Sequence, residues 1–438
     1  VARDRRGGGE AVVAVVGDAS LGNGISLEAL NALASVTRRL IVILNDNEMS
    51  IGGSVGALSS HLGRLLASPR YNRWKTAAER FGHALRLDRL RAPYHRTEQA
   101  VKSLFLKNAL FEEFGLRYMG PVDGHDLRAL CDALTVAKGY DRPIVVHVST
   151  LKGRGFRPAE QNPEAWHGVG CFDPGSGAAR AHGRGYSQMM GERLCALARR
   201  DPSVAAVTAA MCAGTGLDGF AKEYPERFFD VGICEEHAVV FAAGMAAQGF
   251  RPFVALYSTF LQRAVDCVMH DVCLQRLPVA FCIDRAGVVG GDGPTHHGLF
   301  DIPMLRCLPE IVLMQPRDEA ELGRMIETAR RLDGPSAIRY PREAPPPAAA
   351  LGGNEPPEPL AVGEAEEIEP AAGAGTCVWF WALGDCVPLA CAAAALLRAR
   401  GKSAGVVNAR FIKPLDRARL ERQAAAGALF ATIENGAL

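Results

Sequence analysis

The chain has 438 residues, 48% of them hydrophobic and 22% charged, with a formal net charge of +1. That is the make-up of an ordinary globular protein with material for two or three domains, and it has no charge excess to draw it to nucleic acid or an anionic membrane. No apolar run approaches the ~18 residues of a membrane span, the first ten residues lack a signal-peptide core and read as a surface loop, and the twelve cysteines form no C-x-x-C pair, so they read as small core residues in a reducing cytoplasm.

Ala11 to Val16 is an unbroken apolar run ending in Gly17-Asp18, a buried strand that delivers a carboxylate to its carboxyl end. Ile25 to Val36 has helical spacing, with Leu27, Leu30 and Ala34 on one face. Leu40 to Leu44 is a second strand, closed by Asn45-Asp46-Asn47. Strand, helix, strand is a βαβ unit whose right-handed crossover lays both strands parallel and opens both polar ends on one edge, where open α/β sheets bind ligands. Asp18 and Asn47 would bring a carboxylate and an amide oxygen to that edge. Magnesium takes such a set, adding water and ligand phosphate. The small residues from Ala19 to Gly24 let the next helix start close to an anion. Read alone, Gly17-Asp18 is equally an ordinary βα turn with Asp18 as a helix cap.

Gly63 to Lys107 is polar and Arg-rich, a solvated excursion with a helix over Trp74 to Leu87. Asp126 is a good N-cap for a helix from Leu127 to Ala137, and Pro143 to Ser149 is a further strand. Lys152 and Arg154, set among glycines, can meet a phosphate as freely as water. Residues 157–185 are rich in Gly, Pro and Ala and read as a linker. From Tyr186 strands and helices alternate, with strands at 204–208, 228–233, 252–257, 279–284, 312–315 and 336–340 and helices at 189–198, 238–248 and 262–274, which argues a doubly wound, mostly parallel sheet. Glu235 stands where a buried strand becomes a helix. The helix terminus would lower its pKa and an apolar pocket would raise it, and the residues alone leave both open. Asp284 to Gly298 is too glycine-rich for a helix and too polar for a buried strand, so it is a loop at the ligand edge; Arg285 and the Arg339-Tyr-Pro-Arg342 segment offer planar forks suited to phosphate. Residues 343–375 read as a second linker, and 376–438 as strand, helix, strand and a short remainder, too few strands for a sheet of their own.

The string Asn45-Asp-Asn-Glu-Met-Ser-Ile-Gly-Gly-Ser-Val-Gly-Ala-Leu-Ser, behind Gly17-Asp18, resembles the thiamine-diphosphate and magnesium motif of the transketolase superfamily, specifically that of the 1-deoxy-D-xylulose-5-phosphate synthase family. The segments around Lys152, Glu235 and Asp284 to Gly298 carry the same resemblance. It implies an α/β protein with two doubly wound, mostly parallel-sheet thiamine-diphosphate-binding domains, residues 1–156 and 186–342, and part of a third α/β domain, 376–438. It implies metal ligation by Asp18, Asn47 and the Met49 carbonyl, and cofactor contacts from Ala19, Ser20, Asn47, Lys152, Phe156 and Phe260. Glu235 would hold a proton against the aminopyrimidine ring, with His167 and His296 as further active-site histidines. Tyr257, Arg285, Asp292, His296 and Arg342 would take glyceraldehyde 3-phosphate. The implied reaction condenses pyruvate with that acceptor to give 1-deoxy-D-xylulose 5-phosphate and carbon dioxide, feeding isoprenoid, thiamine and pyridoxal synthesis, in a cytoplasmic homodimer.

Two departures stand out. Ala19 replaces the family's usual Gly, whose missing methyl matters by ~1 kcal/mol if the backbone needs φ > 0 or touches the diphosphate. Glu236 replaces a common Gln and is expected to point away from the site. Family members also carry a piece of the first domain, with active-site histidines, before the position of Val1, and most of the third domain after Leu438. The resemblance therefore implies that residues 1–438 alone are inactive and poorly soluble. The alternatives are a transketolase or 2-oxo-acid dehydrogenase subunit, or an inactive remnant serving as a binding or assembly module.

Overall fold

The structure, a computed structural model, describes residues 1–47, 109–178, 183–345, 357–372 and 374–437. The helix expected over 74–87 lies outside these residues, as does Met49. The chain forms two compact units, Val1–Val169 and Gly170–Leu438.

In the first unit, β1 (Val13–Gly17), β2 (Ile41–Asp46), β3 (Arg117–Asp123) and β4 (Ile144–Ser149) make one sheet in the order β1-β2-β4-β3, parallel throughout. The helix Gly24–Val36 crosses from β1 to β2, opened by Asn23, whose side chain accepts from the Ile25 N–H. Asp126 caps the helix Leu127–Lys138 as its position suggests, accepting from Arg128 and Ala129. Neighbouring residues along β2 and β4 alternate between faces. Val42, Leu44 and Val145 pack with Leu30, whereas Ile41, Ile144 and Val146 pack with Ala133 and Ala137, so helices cover both faces. β1 lies at the edge, with Val13 and Val15 exposed. The opening residues are not a plain loop: Ala2–Arg5 is a helical turn that buries Arg3, whose guanidinium reaches the carbonyls of Glu10 and Arg39. The segment after β4 also folds locally. Arg157–Gln161 is a short helix that buries its own Ala159.

The second unit contains β5 (Val204–Thr208), β6 (Phe228–Asp230), β7 (Arg251–Tyr257), β8 (Ala280–Asp284), β9 (Val312–Met314), β10 (Ser336–Arg339), β11 (Glu366–Ala372), β12 (Ala374–Ala382), β13 (Lys402–Asn408), β14 (Phe411–Lys413) and β15 (Leu429–Ile433). β5 to β10 form a parallel sheet in the order β9-β10-β8-β7-β5-β6, and β14 joins its β9 edge antiparallel. Side chains again alternate: Phe253, Ala255 and Cys282 face the core under the helices Tyr186–Arg200 and Glu319–Arg331, while Val254, Leu256 and Phe281 face that under the helix Glu235–Ala247.

Three sequence expectations change. The helix expected at 262–274 is a succession of short α, 3₁₀ and π turns from Ser258 to Cys273. The C-terminal residues do complete a sheet, in the order β11-β13-β12-β15, because β11 lies within the stretch read as a linker. Its glutamates and Pro370 disguise it, and both are tolerated at an edge, where β11 pairs antiparallel with β13 alone. Finally, Phe411-Ile-Lys, within the 376–438 stretch assigned to the third domain, pairs with β9 of the preceding sheet. Among the described residues no helix is long and apolar enough to cross a membrane.

Candidate functional site

Two clusters of the expected residues form, one in each unit. In the first, β1 and β2 run parallel with Gly17 opposite Asn45, so Asp18 and Asn47 leave the sheet at the same carboxyl edge. Asp18 opens the helical turn Asp18–Leu21 and is buried, with Ala19 and Ser20 behind it. Ala19 therefore has helical backbone and is not among the left-handed residues, which removes the strain its methyl would cause at φ > 0. β4 brings up the next loop, where Thr150 donates to Asn45 Oδ1 at 2.8 Å. Gly153 has φ +80° and an added Cβ would fall 2.6 Å from that of Ala159, so the turn needs glycine.

Lys152 Nζ is bonded to His167 Nδ1. Burial lowers the Lys152 pKa, opposed by the charges of Asp18 and Glu164. His167 is lowered by burial and then by the Lys152 charge. With Lys152 as the donor at Nδ1, a neutral His167 carries its proton on Nε2. Phe156 and Trp166 meet edge to face at 4.9 Å.

Sequence reading overlooked what lies beneath this edge. Asp46 Oδ2 takes a bond from His147 Nε2 at 2.9 Å, and Tyr118 OH meets His147 Nδ1 at 2.6 Å, all with His147 fully buried. The signal was a histidine inside the otherwise apolar Ile144-Val-Val-His-Val. This chain locks the last residue of β2, next to Asn47, to the neighbouring strands. Among the described residues no three His, Cys, Asp or Glu side chains form a metal-holding group; the expected set has only one such side chain, Asp18.

In the second unit Glu235 is the first residue of its helix and is 3% exposed. Burial raises its pKa, opposed by Arg263, whose Nη1 lies 3.2 Å from Oε2, and assisted by Glu236. The pair lacks hydrogen-bond geometry, since Oε2 has no hydrogen-bond partner. Burial thus wins over the helix terminus. Glu236 is half-buried and faces Arg263 at 3.9 Å.

Tyr257 and Phe260 stack at 5.2 Å, and His296 meets Phe260 edge-on at 5.6 Å. The Arg285 guanidinium lies 4.2 Å above the Tyr257 ring. Its Nη1 bonds Ser187 Oγ at 3.0 Å, the Gly214 carbonyl at 2.8 Å and Asp284 at 2.9 Å. Asp292 bridges Arg285, at 3.6 Å, and Arg342, at 3.1 Å. Arg285 is thus mostly buried with its Nη1 engaged while its Nε has no hydrogen-bond partner, and the half-exposed Arg342 is the more accessible fork. Arg339 is not a ligand fork. It is fully buried and bonded to Asp301, Gln315 and Asn435, because it belongs to β10 rather than to the loop after it.

Three family models match. Residues 1–150 match "1-deoxy-D-xylulose-5-phosphate synthase", 183–347 the transketolase pyrimidine-binding domain, and 371–438 the transketolase C-terminal domain. The chain is 48% identical to a 1-deoxy-D-xylulose-5-phosphate synthase of Acidobacterium capsulatum, over all of this chain and 69% of the relative. It is 47% identical to one of Pelotomaculum thermopropionicum, over all of this chain and 68% of the relative. A solved split-gene transketolase, an inactive β4 tetramer, is 29% identical over 56% of this chain and 78% of its own, with a TM-score of 0.49.

Proposed function

The chain belongs to the 1-deoxy-D-xylulose-5-phosphate synthase family of transferases, and from that premise we propose that it joins the two-carbon unit of pyruvate to glyceraldehyde 3-phosphate, with release of carbon dioxide, using thiamine diphosphate and magnesium. The observation that carries the reading is Glu235, a buried carboxyl raised above its ordinary pKa by desolvation. Such a group holds its proton more tightly than an exposed carboxyl does and can present it to a ring nitrogen, the task this cofactor sets. Its orphaned Oε2 is the structural sign that a partner fits there.

Bound thiamine diphosphate would supply the electron sink for decarboxylation. Asp18, Asn47 and the Met49 carbonyl would hold magnesium, with Ala19, Ser20, Lys152 and Phe156 along the diphosphate. With Lys152 as the donor to Nδ1 and its own pKa lowered, His167 would be a neutral imidazole presenting Nε2–H, suited to donating a hydrogen bond to the substrate. Phe260 offers its face to the aminopyrimidine. Tyr257, Arg285, Asp292 and His296 would orient the acceptor hydroxyls and aldehyde, and Arg342 its phosphate; Asp292 holds both guanidinium groups in register before anything binds. A homodimer accords with Val240, Met269 and Leu274, which stand exposed on the Glu235 helix and the turns beside it. Twelve free thiols accord with the cytoplasm and with the isoprenoid and thiamine routes that such a product feeds.

Titrating the chain with thiamine diphosphate, with and without magnesium, tests the reading. Asp18→Ala should weaken metal-dependent binding by about tenfold or more while the circular dichroism is retained. A variant that binds as tightly as the parent would sink the metal-site assignment.

A further inference from the structure

The last described residues, Glu434 to Ala437, follow β15 and return to the loop that carries Asp292 and His296. Asn435 Oδ1 accepts from Arg339 Nη1 at 2.6 Å, and its Nδ2 donates to both Asp385 oxygens, at 2.9 and 3.2 Å. Gln315 repeats the arrangement, taking a bond from Arg339 and donating to Asp385 at 2.6 Å. Two amides thus bridge a buried guanidinium to a carboxylate. An amide suits either place, because one end must accept from Arg339 and the other donate to Asp385. Asp301 neutralises Arg339 from the far side at 3.0 Å.

The same asparagine side chain lies against Gly287, which has φ +83°. A Cβ built there would fall 2.8 Å from Asn435 Nδ2. Gly287 and Gly298 exchange two backbone bonds of 2.8 Å, closing the base of the loop between them, and the Ala437 N–H donates to the Leu299 carbonyl at 2.8 Å. Both ends of the loop therefore touch residues 435–437. Arg339 lies three residues before Arg342, and the carbonyl of intervening Tyr340 takes a bond from the Ala286 N–H.

We propose that Asn435 is a positioning residue for the acceptor: it fastens the loop 287–298 and the Arg339–Arg342 segment to the C-terminal sheet, so that Asp292, His296 and Arg342 meet the acceptor in one arrangement. The functional half of this rests on the acceptor reading given above; the clamp itself does not. Shortening the amide to a methyl frees the loop base from one side, and adding a methyl at Gly287 pushes the two apart from the other.

The test uses the 438-residue chain with Asn435→Ala and Gly287→Ala, and Arg342→Ala as control. Hydrogen exchange of the backbone amides of 287–299 and calorimetric binding of D-glyceraldehyde 3-phosphate are measured, with thiamine diphosphate binding alongside. Both clamp variants should speed exchange in this loop and weaken acceptor binding, each by about tenfold or more, and leave cofactor affinity unchanged. If Asn435→Ala fails to fold, Gly287→Ala decides alone. Unchanged exchange in 287–299, unchanged acceptor affinity in both clamp variants beside a weakened Arg342→Ala, or acceptor and cofactor affinity falling together, overturns the proposal. Acceptor binding that ignores Arg342→Ala, or is absent from the parent, overturns instead the acceptor reading, while exchange still judges the clamp.

Discussion

Replacing Glu235 by glutamine should damage function and improve stability together. The parent carboxyl is 3% exposed, its one cation stands 3.2 Å away without hydrogen-bond geometry, and that cation is itself about one-third exposed and so screened. A charge there is poorly compensated. An amide has the same shape and nothing to ionise, so at neutral pH the Glu235→Gln variant should gain about 1 kcal/mol, or about 1–2 °C in Tm for a unit of this size. The pH dependence follows from burial raising the folded pKa above the ordinary 4.5. Between the two values the folded chain holds a proton that the unfolded chain has lost. The carboxyl's contribution is therefore fully present below 4.5 and is lost as pH rises through the folded value. The variant's advantage should vanish as pH falls toward 4.5 and grow with rising pH until the folded value is passed. Calorimetric melting across pH 4.5 to 8 reads this without any cofactor. Deuterium exchange at C2 of bound thiamine diphosphate, the functional assay, should slow by about 10²–10⁴-fold. A variant less stable than the parent at pH 7, or a difference independent of pH, would refute the reasoning.

Ala19→Gly should destabilise the chain by about 0.5–1 kcal/mol and so lower the thermal midpoint, since it loosens a helical turn instead of relieving a strained one; a rise in Tm would mean that the methyl is a burden after all. Lys152→Met should raise the His167 pKa part of the way toward its ordinary value, because burial, the larger cause of its lowering, remains. An imidazole NMR titration that finds it unmoved would separate the two side chains.

The repeating parts of the fold were legible because strands buried on both faces must be written in β-branched, apolar residues. The runs at 143–149 and 252–257 needed no tertiary knowledge, and neither did Asp18 and Asn47 at their common edge; the run at 11–16 forms a strand but not a buried one, since β1 is an edge strand with Val13 and Val15 exposed. Glu235 was legible as a position but not as a pKa, since two opposing effects act there and only burial decides between them. The clamp was invisible. Arg339, Gln315, Asp385 and Asn435 are remote in the chain, and each alone reads as a solvated polar residue. Arg339 was misread because its neighbour Arg342 is accessible, whereas the strand pattern turns Arg339 inward. The strand at 366–372 was hidden by glutamates and a proline that only an edge permits.

The pairing of β14 with β9 has a consequence for the order in which the protein is made. β9 ends at Met314, and the strand that covers its outer side begins at Phe411. A ribosome emitting ~5–20 residues per second needs roughly 5–20 seconds to cross that interval. Once β10 has followed at Ser336–Arg339, the second unit's sheet has most of its strands but an open row of amide and carbonyl groups along Val312 to Met314 for the rest of that interval. Nascent chains would then be vulnerable to pairing with one another until residue 413 clears the exit tunnel. Slowing translation within 345–410 by rare codons should therefore lower soluble yield without altering a single residue of the finished protein.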